Sequence, residues 1–174
     1  MPQLERVGIT LLLVIGLAVA GVGASSAGDE TVIHYAPVEN LERVDVGLLN
    51  EAGETIDMAA YILTDRPVID ALIAAKERGV AVRLLLDPSQ KSDLVRLEPL
   101  KDAIRFRKRG PIMHLKSYLV DGERLRTGSA NFTASGLKQQ DNDLVVTRDR
   151  VLIERFKANF DRMWENAIRS IYMK

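Results

Sequence analysis

The amino-acid sequence predicts an α/β fold with a mixed, mostly parallel sheet flanked by helices on both faces. From Thr31 onward, strand-like and helix-like patterns alternate, and residues 55–87 read as a strand, a helix and a second strand at the lengths of a parallel crossover unit. The run VAVRLLLD at residues 80–87 is mostly apolar, as in a strand buried on both faces. With 174 residues, 47% of them hydrophobic, the chain is large enough for one domain with its own core.

The first elements follow from apolar spacing and end signals. Residues 31–36 (TVIHYA) are predicted to form a strand, residues 40–52 a helix that ends before Gly53, and residues 55–63 a second strand. The helix at residues 65–79 has the clearest end signals. Asp65 is its predicted N-cap, Pro67 lies in its first turn and Gly79 is its predicted C-cap.

Beyond Asp87 the periodicity is weaker, and a turn signal supplies the main landmark. Asp121-Gly122 is typical of a hairpin turn between two strands. The remaining predicted elements are a helix at residues 91–103, a short strand at 104–109, hairpin arms at 114–120 and 123–127, a strand at 143–147 and a long helix at 149–167.

Composition excludes several kinds of chemistry. The 24 Lys and Arg residues balance 24 Asp and Glu residues, so no global field draws the chain toward polyanions. The absence of cysteine excludes disulfides, thiol catalysis and cysteine-ligated zinc. Two histidines, His34 and His114, are too few for a histidine metal cluster, so we predict neither a metal nor a cofactor.

The N-terminal segment is predicted to direct export. Residues 7–24 form an uncharged apolar run of 18 residues, and its end overlaps the small-residue stretch GASSAG at residues 23–28. This pattern predicts a signal peptide cleaved after Ala24 or Ala27, or alternatively an uncleaved membrane anchor. Residues 1–27 are therefore separated from a domain at residues 28–174, and that domain is expected to be periplasmic, secreted or membrane-anchored.

The stretch MHLKSYLVDGERLRTGSANF, residues 113–132, concentrates polar groups in a predicted hairpin. His114 and Lys116 are two residues apart, so in a strand they project to one face; Ser129 and Asn131 have the same spacing after the return strand. The hairpin would bring an imidazole, an ammonium, a hydroxyl and an amide into one pocket. That set suits a phosphodiester, which needs a nucleophile, a fixed positive charge and neutral donors for the phosphoryl oxygens.

The spacing His-x-Lys-x-x-x-x-Asp at His114, Lys116 and Asp121, followed by Gly-Ser-Ala-Asn at 128–131, resembles the phospholipase D superfamily, the HKD-motif phosphodiesterases. The resemblance extends over about residues 31–165. It is to the short branch with one HKD motif per chain, similar to small bacterial endonucleases and mitochondrial cardiolipin hydrolase. It implies a phospholipase D-like fold and metal-independent hydrolysis through a phosphohistidine.

The resemblance also implies roles for individual residues. His114 corresponds to the nucleophile, Lys116 and Asn131 to phosphate ligands, and Ser129 to a supporting hydroxyl. Lys116 is thus expected both to take part in catalysis and to bind substrate.

Acidic residues take supporting roles in the same resemblance. Asp121 is the motif aspartate and is counted with the catalytic residues, although its expected role is structural or electrostatic. Asp143 stands where the family has a glutamate that orients the histidine, and Asp141 is the alternative.

A basic run precedes the motif. Two interpretations stay open for it: a solvated loop rim, or a lip that follows the phosphates of a nucleic acid. The predicted nucleic-acid contacts are Arg105, Arg107, Lys108 and Arg109.

The mechanism implied by the resemblance needs two histidines, one to attack and one to protonate the leaving oxygen. Because the chain has one motif, we predict a homodimer that shares one composite active site. The leading prediction is a non-specific endonuclease on DNA or RNA. A phospholipase D-type hydrolase of phospholipid head groups is the alternative, and an inactive nucleic-acid-binding module is a more remote one.

Overall fold

The structure is a computed structural model, and it describes residues 30–89, 92–108 and 110–169. Within these ranges the strands are β1 (Thr31–Ala36), β2 (Thr55–Ala60), β3 (Ala81–Leu86), β4 (Ile104–Phe106), β5 (Lys116–Val120), β6 (Arg124–Gly128), β7 (Asn142–Thr147) and β8 (Ile168–Arg169). The helices are α1 (Leu41–Asn50), α2 (Arg66–Glu77), α3 (Ala134–Lys138) and α4 (Arg150–Glu165), with a 3₁₀ helix at Glu98–Ala103.

The eight described strands form one sheet in the order β1-β7-β6-β5-β2-β3-β4-β8. The α/β class and the mixed sheet are confirmed, but the prediction of a mostly parallel sheet is wrong. Of the seven strand pairings in the described ranges, only β2–β3 and β3–β4 are parallel. A parallel pairing needs a crossover connection, whereas the short turn between β5 and β6 joins them as antiparallel neighbours.

Helices cover both faces of the sheet, as predicted. The main core lies on the face covered by α1, α2 and α3, and includes Leu41, Leu72, Met58 and Leu84. On the opposite face, Phe160 and Met163 of α4 pack against Ala59 and Leu85 of the central strands. The central strands β2 and β3 are thus buried on both sides, which explains their apolar sequences.

Most helix ends are where the sequence places them. The Asp65 carboxylate accepts a hydrogen bond from the Val68 amide at 3.2 Å and caps α2, and Gly79 follows the helix with φ of 94°. The predicted helix at 91–103 is shorter in the part that the structure describes, where only the 3₁₀ helix is regular. Pro99 lies within the predicted span, and a proline in a helix interior clashes with the preceding turn.

Helix α3 and strand β8 were not predicted. Both are very short, so neither has enough residues for a recognisable period.

No helix in the described ranges is both long and apolar enough to cross a bilayer. The predicted signal peptide or anchor at residues 1–27 lies outside these ranges, and export stays a prediction.

Candidate active site

The two halves of the motif lie along one edge of the sheet, which we call the site edge. It is formed by the carboxyl ends of β1, β2, β3, β4 and β6 and the amino ends of β5 and β7. His114 lies just before β5, and Ser129 and Asn131 just after β6. The topology therefore brings the segment of His114 and the segment of Ser129 and Asn131 to the same edge of the sheet.

His114 and Lys116 are in direct contact. The Lys116 Nζ lies 2.9 Å from Nδ1 and 3.0 Å from Nε2 of the His114 ring, and it donates to the His114 carbonyl oxygen at 2.8 Å. The expectation that both residues lie in the strand is wrong, because β5 begins at Lys116. An ammonium group only donates, so a ring nitrogen that faces it accepts with its lone pair.

The two side chains differ in their exposure to solvent. His114 is exposed, whereas Lys116 is 5% exposed, and burial lowers the pKa of the Lys116 ammonium below its ordinary value. Among the described residues no carboxylate forms an ion pair with Lys116. A buried charge without a counter-charge is costly, so this position favours an anion as partner.

Tyr61 is a site residue that the sequence motif does not indicate. Its ring centroid lies 4.4 Å from that of His114, and the Lys116 Nζ lies 4.9 Å from the Tyr61 centroid. The ring thus holds the imidazole and provides a cation–π contact to the ammonium. The only available signal was that Tyr61 lies near the end of the strand predicted at residues 55–63, whose carboxyl end belongs to the site edge.

Ser129 is held by the start of β7, whereas the buried side-chain oxygen of Asn131 has no partner among the described residues. The Ser129 Oγ donates to Asn142 Oδ1 at 3.0 Å and accepts from the Asp143 amide at 2.9 Å. Gly128 has φ of 140°, and a Cβ there would lie 2.5 Å from the Asp143 carbonyl oxygen, so only glycine fits.

Asp143 supports Ser129, not His114. Its Oδ1 accepts from the Ser129 amide at 3.2 Å, and no hydrogen bond joins it to His114 in the described part of the chain. The side chains that contact the His114 ring in the described part of the chain are Lys116 and Tyr61. Asp141, the alternative, is exposed and lines a cavity of about 370 Å³ next to Ser129.

Asp121 lies at the opposite end of β5 and is not brought to His114. The length of the strand separates Asp121 from Lys116 by roughly 16 Å at about 3.3 Å per residue. The carboxylate accepts from the amides of Gly53 at 2.9 Å and of Glu54 and Thr55 at 2.8 Å. These contacts hold the segment at the start of β2, so Asp121 lies apart from the other motif residues.

The ionisation of Asp121 reflects these contacts. Desolvation opposes the charged form, but the three amide hydrogen bonds outweigh it and lower the pKa of the carboxyl below its ordinary value.

Arg105, the first predicted nucleic-acid contact, is engaged within the fold. Its guanidinium lies 4.3 Å from a ring centroid of Trp164 and donates to the Trp164 carbonyl oxygen at 2.8 Å. This geometry is that of a residue that holds the end of α4 against the sheet.

The other basic residues lie nearer the site edge. Arg107 follows β4, and its charge helps to lower the pKa of Asp87 against the effect of desolvation, together with hydrogen bonds from Ser89 and Met113. Lys108 lines a cavity of about 270 Å³ that also involves Asp87. Arg109 lies outside the described residues.

His34 lies away from His114. Its Nδ1 is 2.8 Å from Glu39 Oε2, and β1 is three strands from β5, a separation of roughly 14 Å at about 4.8 Å per strand. In the described ranges no group of three histidine, aspartate or glutamate side chains is placed to hold a metal ion.

Comparisons with known proteins agree with this arrangement. The family model described as "Cardiolipin synthase, PLD-like domain" matches residues 46–164, more than half of the chain. A phospholipase D of Rickettsia felis is 35% identical over 130 residues, covering 72% of this chain and 65% of that protein. A mitochondrial cardiolipin hydrolase of Chlamydomonas reinhardtii is 29% identical over 121 residues, covering 67% of this chain and 54% of that protein.

The chain thus spans less than two thirds of the length of these two curated relatives. Among solved structures, the phospholipase D family member Nuc of Salmonella typhimurium superposes with a TM-score of 0.73 at 25% identity, covering 80% of this chain and 96% of Nuc. The family match and the shared fold show that the chain belongs to the phospholipase D-like superfamily of phosphodiesterase-type enzymes.

Proposed function

We propose that this protein is a metal-independent phosphodiesterase that cleaves nucleic acid, as a non-specific endonuclease, through a phosphohistidine at His114. One observation carries the proposal. The buried Lys116 ammonium has no carboxylate partner in the described ranges and lies within 3.0 Å of both ring nitrogens of the exposed His114. A phosphodiester supplies the missing negative charge at the place where a nucleophile is exposed.

In the first step, a ring nitrogen of His114 attacks the phosphorus atom. A P–N bond forms, the bond to the leaving oxygen breaks, and that oxygen takes a proton from a second, protonated imidazole. Lys116 balances the charge on the phosphoryl oxygens, and the amide of Asn131 is a neutral donor. The Ser129 hydroxyl, which donates to Asn142, supports this segment.

In the second step, the second imidazole, now neutral, removes a proton from water. The resulting hydroxide attacks phosphorus, the P–N bond breaks and the phosphate monoester leaves. His34 is roughly three strand spacings from β5, so it lies too far away to act as this second imidazole. We therefore assign the role to His114 of a second copy, in a homodimer with one shared site.

Local charge supports a nucleic-acid substrate. Arg107 and Lys108 lie beside the site edge, and neither forms an ion pair within 4.0 Å among the described residues. Because the net charge of the chain is zero, these side chains provide the attraction for a polyanion.

A phospholipid head group is the second candidate, favoured by apolar side chains on the site edge. Tyr35 and Val38, beside Ser129, are 57% and 91% exposed, and Ile112, two residues before His114, is 63% exposed. Such residues can enter a membrane surface. Two relatives are also named for reactions on lipids, phospholipase D and cardiolipin hydrolase.

Both candidates are tested with the purified protein in excess EDTA on single-stranded DNA, duplex DNA, RNA and vesicles containing cardiolipin. We expect cleavage of nucleic acid. Replacing both Arg107 and Lys108 by Ala should raise KM and reduce the salt dependence, by a slope change of about 2 if both contact phosphates.

The matched variant replaces Val38 and Ile112 by Ser and should leave nuclease activity unchanged. Hydrolysis of vesicles alone, sensitive to the second variant but not the first, would establish the lipid candidate. Activity that returns only after Mg²⁺ or Zn²⁺ is added would contradict the proposed mechanism.

A further inference from the structure

A buried ion pair lies directly beneath the site edge. Arg126 of β6 and Asp45 of α1 are both 0% exposed, and their side chains are joined at 2.9 Å (Nε to Oδ1) and 3.1 Å (Nη2 to Oδ2). The Tyr118 hydroxyl donates to the same Asp45 carboxylate at 2.9 Å. The orientation of the guanidinium is therefore fixed by a carboxylate that cannot reach solvent.

The other contacts of Arg126 go to the two segments of the proposed site. Nη1 donates to the Lys116 carbonyl oxygen at 2.6 Å, and Nη2 donates to the Ala130 carbonyl oxygen at 3.3 Å. The guanidinium also lies 4.5 Å from the ring centroid of Phe132. One planar group thus binds the backbone of the ammonium residue and the backbone between Ser129 and Asn131.

We infer that Arg126, oriented by Asp45, is a positioning residue that sets the spacing between the His114–Lys116 segment and the Ser129–Asn131 segment. This role rests on the proposed function, because it concerns the same site. Arg126 touches no substrate and acts only through the two carbonyl groups.

A purely stabilising role explains the arrangement less well. A buried ion pair is often no more stabilising than apolar residues of the same volume, because desolvation offsets the attraction. The geometry of arginine is what allows simultaneous contact with a carboxylate and two separate carbonyl groups, and the single ammonium of a lysine cannot reproduce it.

The chain offers a matched control on the other side of the sheet. Arg83 of β3 donates to both oxygens of Asp57 at 2.6 Å and to Asp161 of α4 at 2.9 Å. It is a multidentate arginine like Arg126, but none of its hydrogen bonds goes to either site segment. The test compares Arg126→Lys with Arg83→Lys in the full chain, using a single-stranded oligonucleotide substrate.

We expect Arg126→Lys to slow turnover by about 10- to 100-fold with KM changed less than threefold, since small misplacements of reacting groups carry costs of that order. Arg83→Lys should leave both constants within about twofold, as expected for a contact that does not reach the site. A folded Arg126→Lys protein that turns over within twofold of the unmodified protein would overturn the inference. If circular dichroism shows Arg126→Lys to be unfolded, Asp45→Asn decides by the same criterion, because it keeps the arginine and loosens its orientation.

A readout independent of activity separates this inference from the proposed function. The chain has two histidines, so the side-chain ¹⁵N resonances of His114 can be assigned against His34. Arg126→Lys should shift the His114 resonances and leave those of His34 unchanged, and Arg83→Lys should shift neither. Absence of any phosphodiesterase activity in the unmodified protein would refute the function alone, whereas unchanged His114 resonances in Arg126→Lys would refute the positioning role.

Discussion

The charged groups at the two ends of strand β5 lie in opposite electrostatic environments. At the amino end, the Lys116 ammonium is buried without a carboxylate partner in the described ranges, beside the exposed His114. At the carboxyl end, the Asp121 carboxylate accepts three backbone amides of the loop that leads into β2. One end retains an electrostatic cost that a ligand can relieve, and the other end is already satisfied.

The difference shows that a motif read along one strand does not have to form one site. His114, Lys116 and Asp121 lie close together in the sequence, yet β5 places the aspartate at the opposite end of the strand from the histidine. At Lys116 a buried charge without a carboxylate partner points to a place for an anionic ligand, whereas the fully paired carboxylate of Asp121 points to a structural contact. The following predictions test this division.

The largest effect is expected for His114→Ala. If His114 is the nucleophile, turnover should fall by at least about 10³-fold, as for removal of other catalytic nucleophiles. The side chain is exposed, so the free energy of unfolding should change by less than about 0.5 kcal/mol. His34→Ala is the control, and it should keep full activity in the same assay; residual activity of His114→Ala within tenfold would exclude the assigned role.

A smaller loss is expected for Lys116→Met, which removes the ammonium and keeps most of the side-chain length. We expect turnover to fall by about 10²- to 10³-fold, the range found when one charge-stabilising donor is lost. Unlike most changes in a core, this one should not destabilise the fold, because it relieves a desolvation cost. Denaturant unfolding measured beside the kinetics checks both statements. A marked loss of stability with retained activity would show that Lys116 serves the fold and not the reaction.

Asp121→Asn should show the opposite profile. The amide side chain has one acceptor oxygen and no charge, so the free energy of unfolding should fall by about 1–3 kcal/mol. The rate per folded molecule should stay within about threefold, since Asp121 is roughly 16 Å from the ammonium residue along β5. If the folded variant instead turned over substrate more slowly by two orders of magnitude or more, Asp121 would have a catalytic role.

The lowered pKa of Asp121 also predicts how the stability difference between the two proteins changes with pH. Its contribution to stability is present above the unfolded pKa of 3.8 and is lost as the pH falls through the lower folded value. The stability difference between the native chain and Asp121→Asn should therefore shrink only below about pH 4.

The smallest effect is expected on the alkaline limb of the pH profile of activity. Burial lowers the pKa of Lys116 from its ordinary 10.5, so the ammonium loses its proton, and activity should fall, at a pH below that value. Lys116→Arg, whose guanidinium stays charged, should lose this limb even though its geometry makes it slower. A limb that persists unchanged in Lys116→Arg would assign the titration to another group.

Much of the fold follows from local patterns. The strand–helix–strand unit of β2, α2 and β3 is predicted by apolar spacing, the Asp65 cap and Gly79, all of which are local signals. Strand direction in the rest of the sheet is not local, because it depends on which strand β5 joins. Its pairing with β2, by which Ala60 faces Lys116, is set by core packing between distant segments.

The site was predictable to the extent that it resides in the motif. His114, Lys116, Ser129 and Asn131 were identified, and the topology places their segments on one edge. Three contributions depend on contacts between distant segments, and no spacing in the sequence reveals them: Tyr61 against His114, Arg126 between the two site segments, and the pairing of Asp143 with Ser129. The contact of Arg105 with Trp164 was not foreseen, because a basic residue in a loop-like run gives no sign that a tryptophan will lie against it.

The most direct test of the whole account is to trap the covalent intermediate. Protein mixed with a substrate labelled at the scissile phosphate is quenched without acid, which preserves phosphohistidine, and the peptides are analysed by mass spectrometry. We predict one phosphoryl-linked adduct on the His114 peptide, reduced in Lys116→Met and unchanged in Asp121→Asn. Steady turnover with no adduct at His114, or an adduct on His34, would contradict the account.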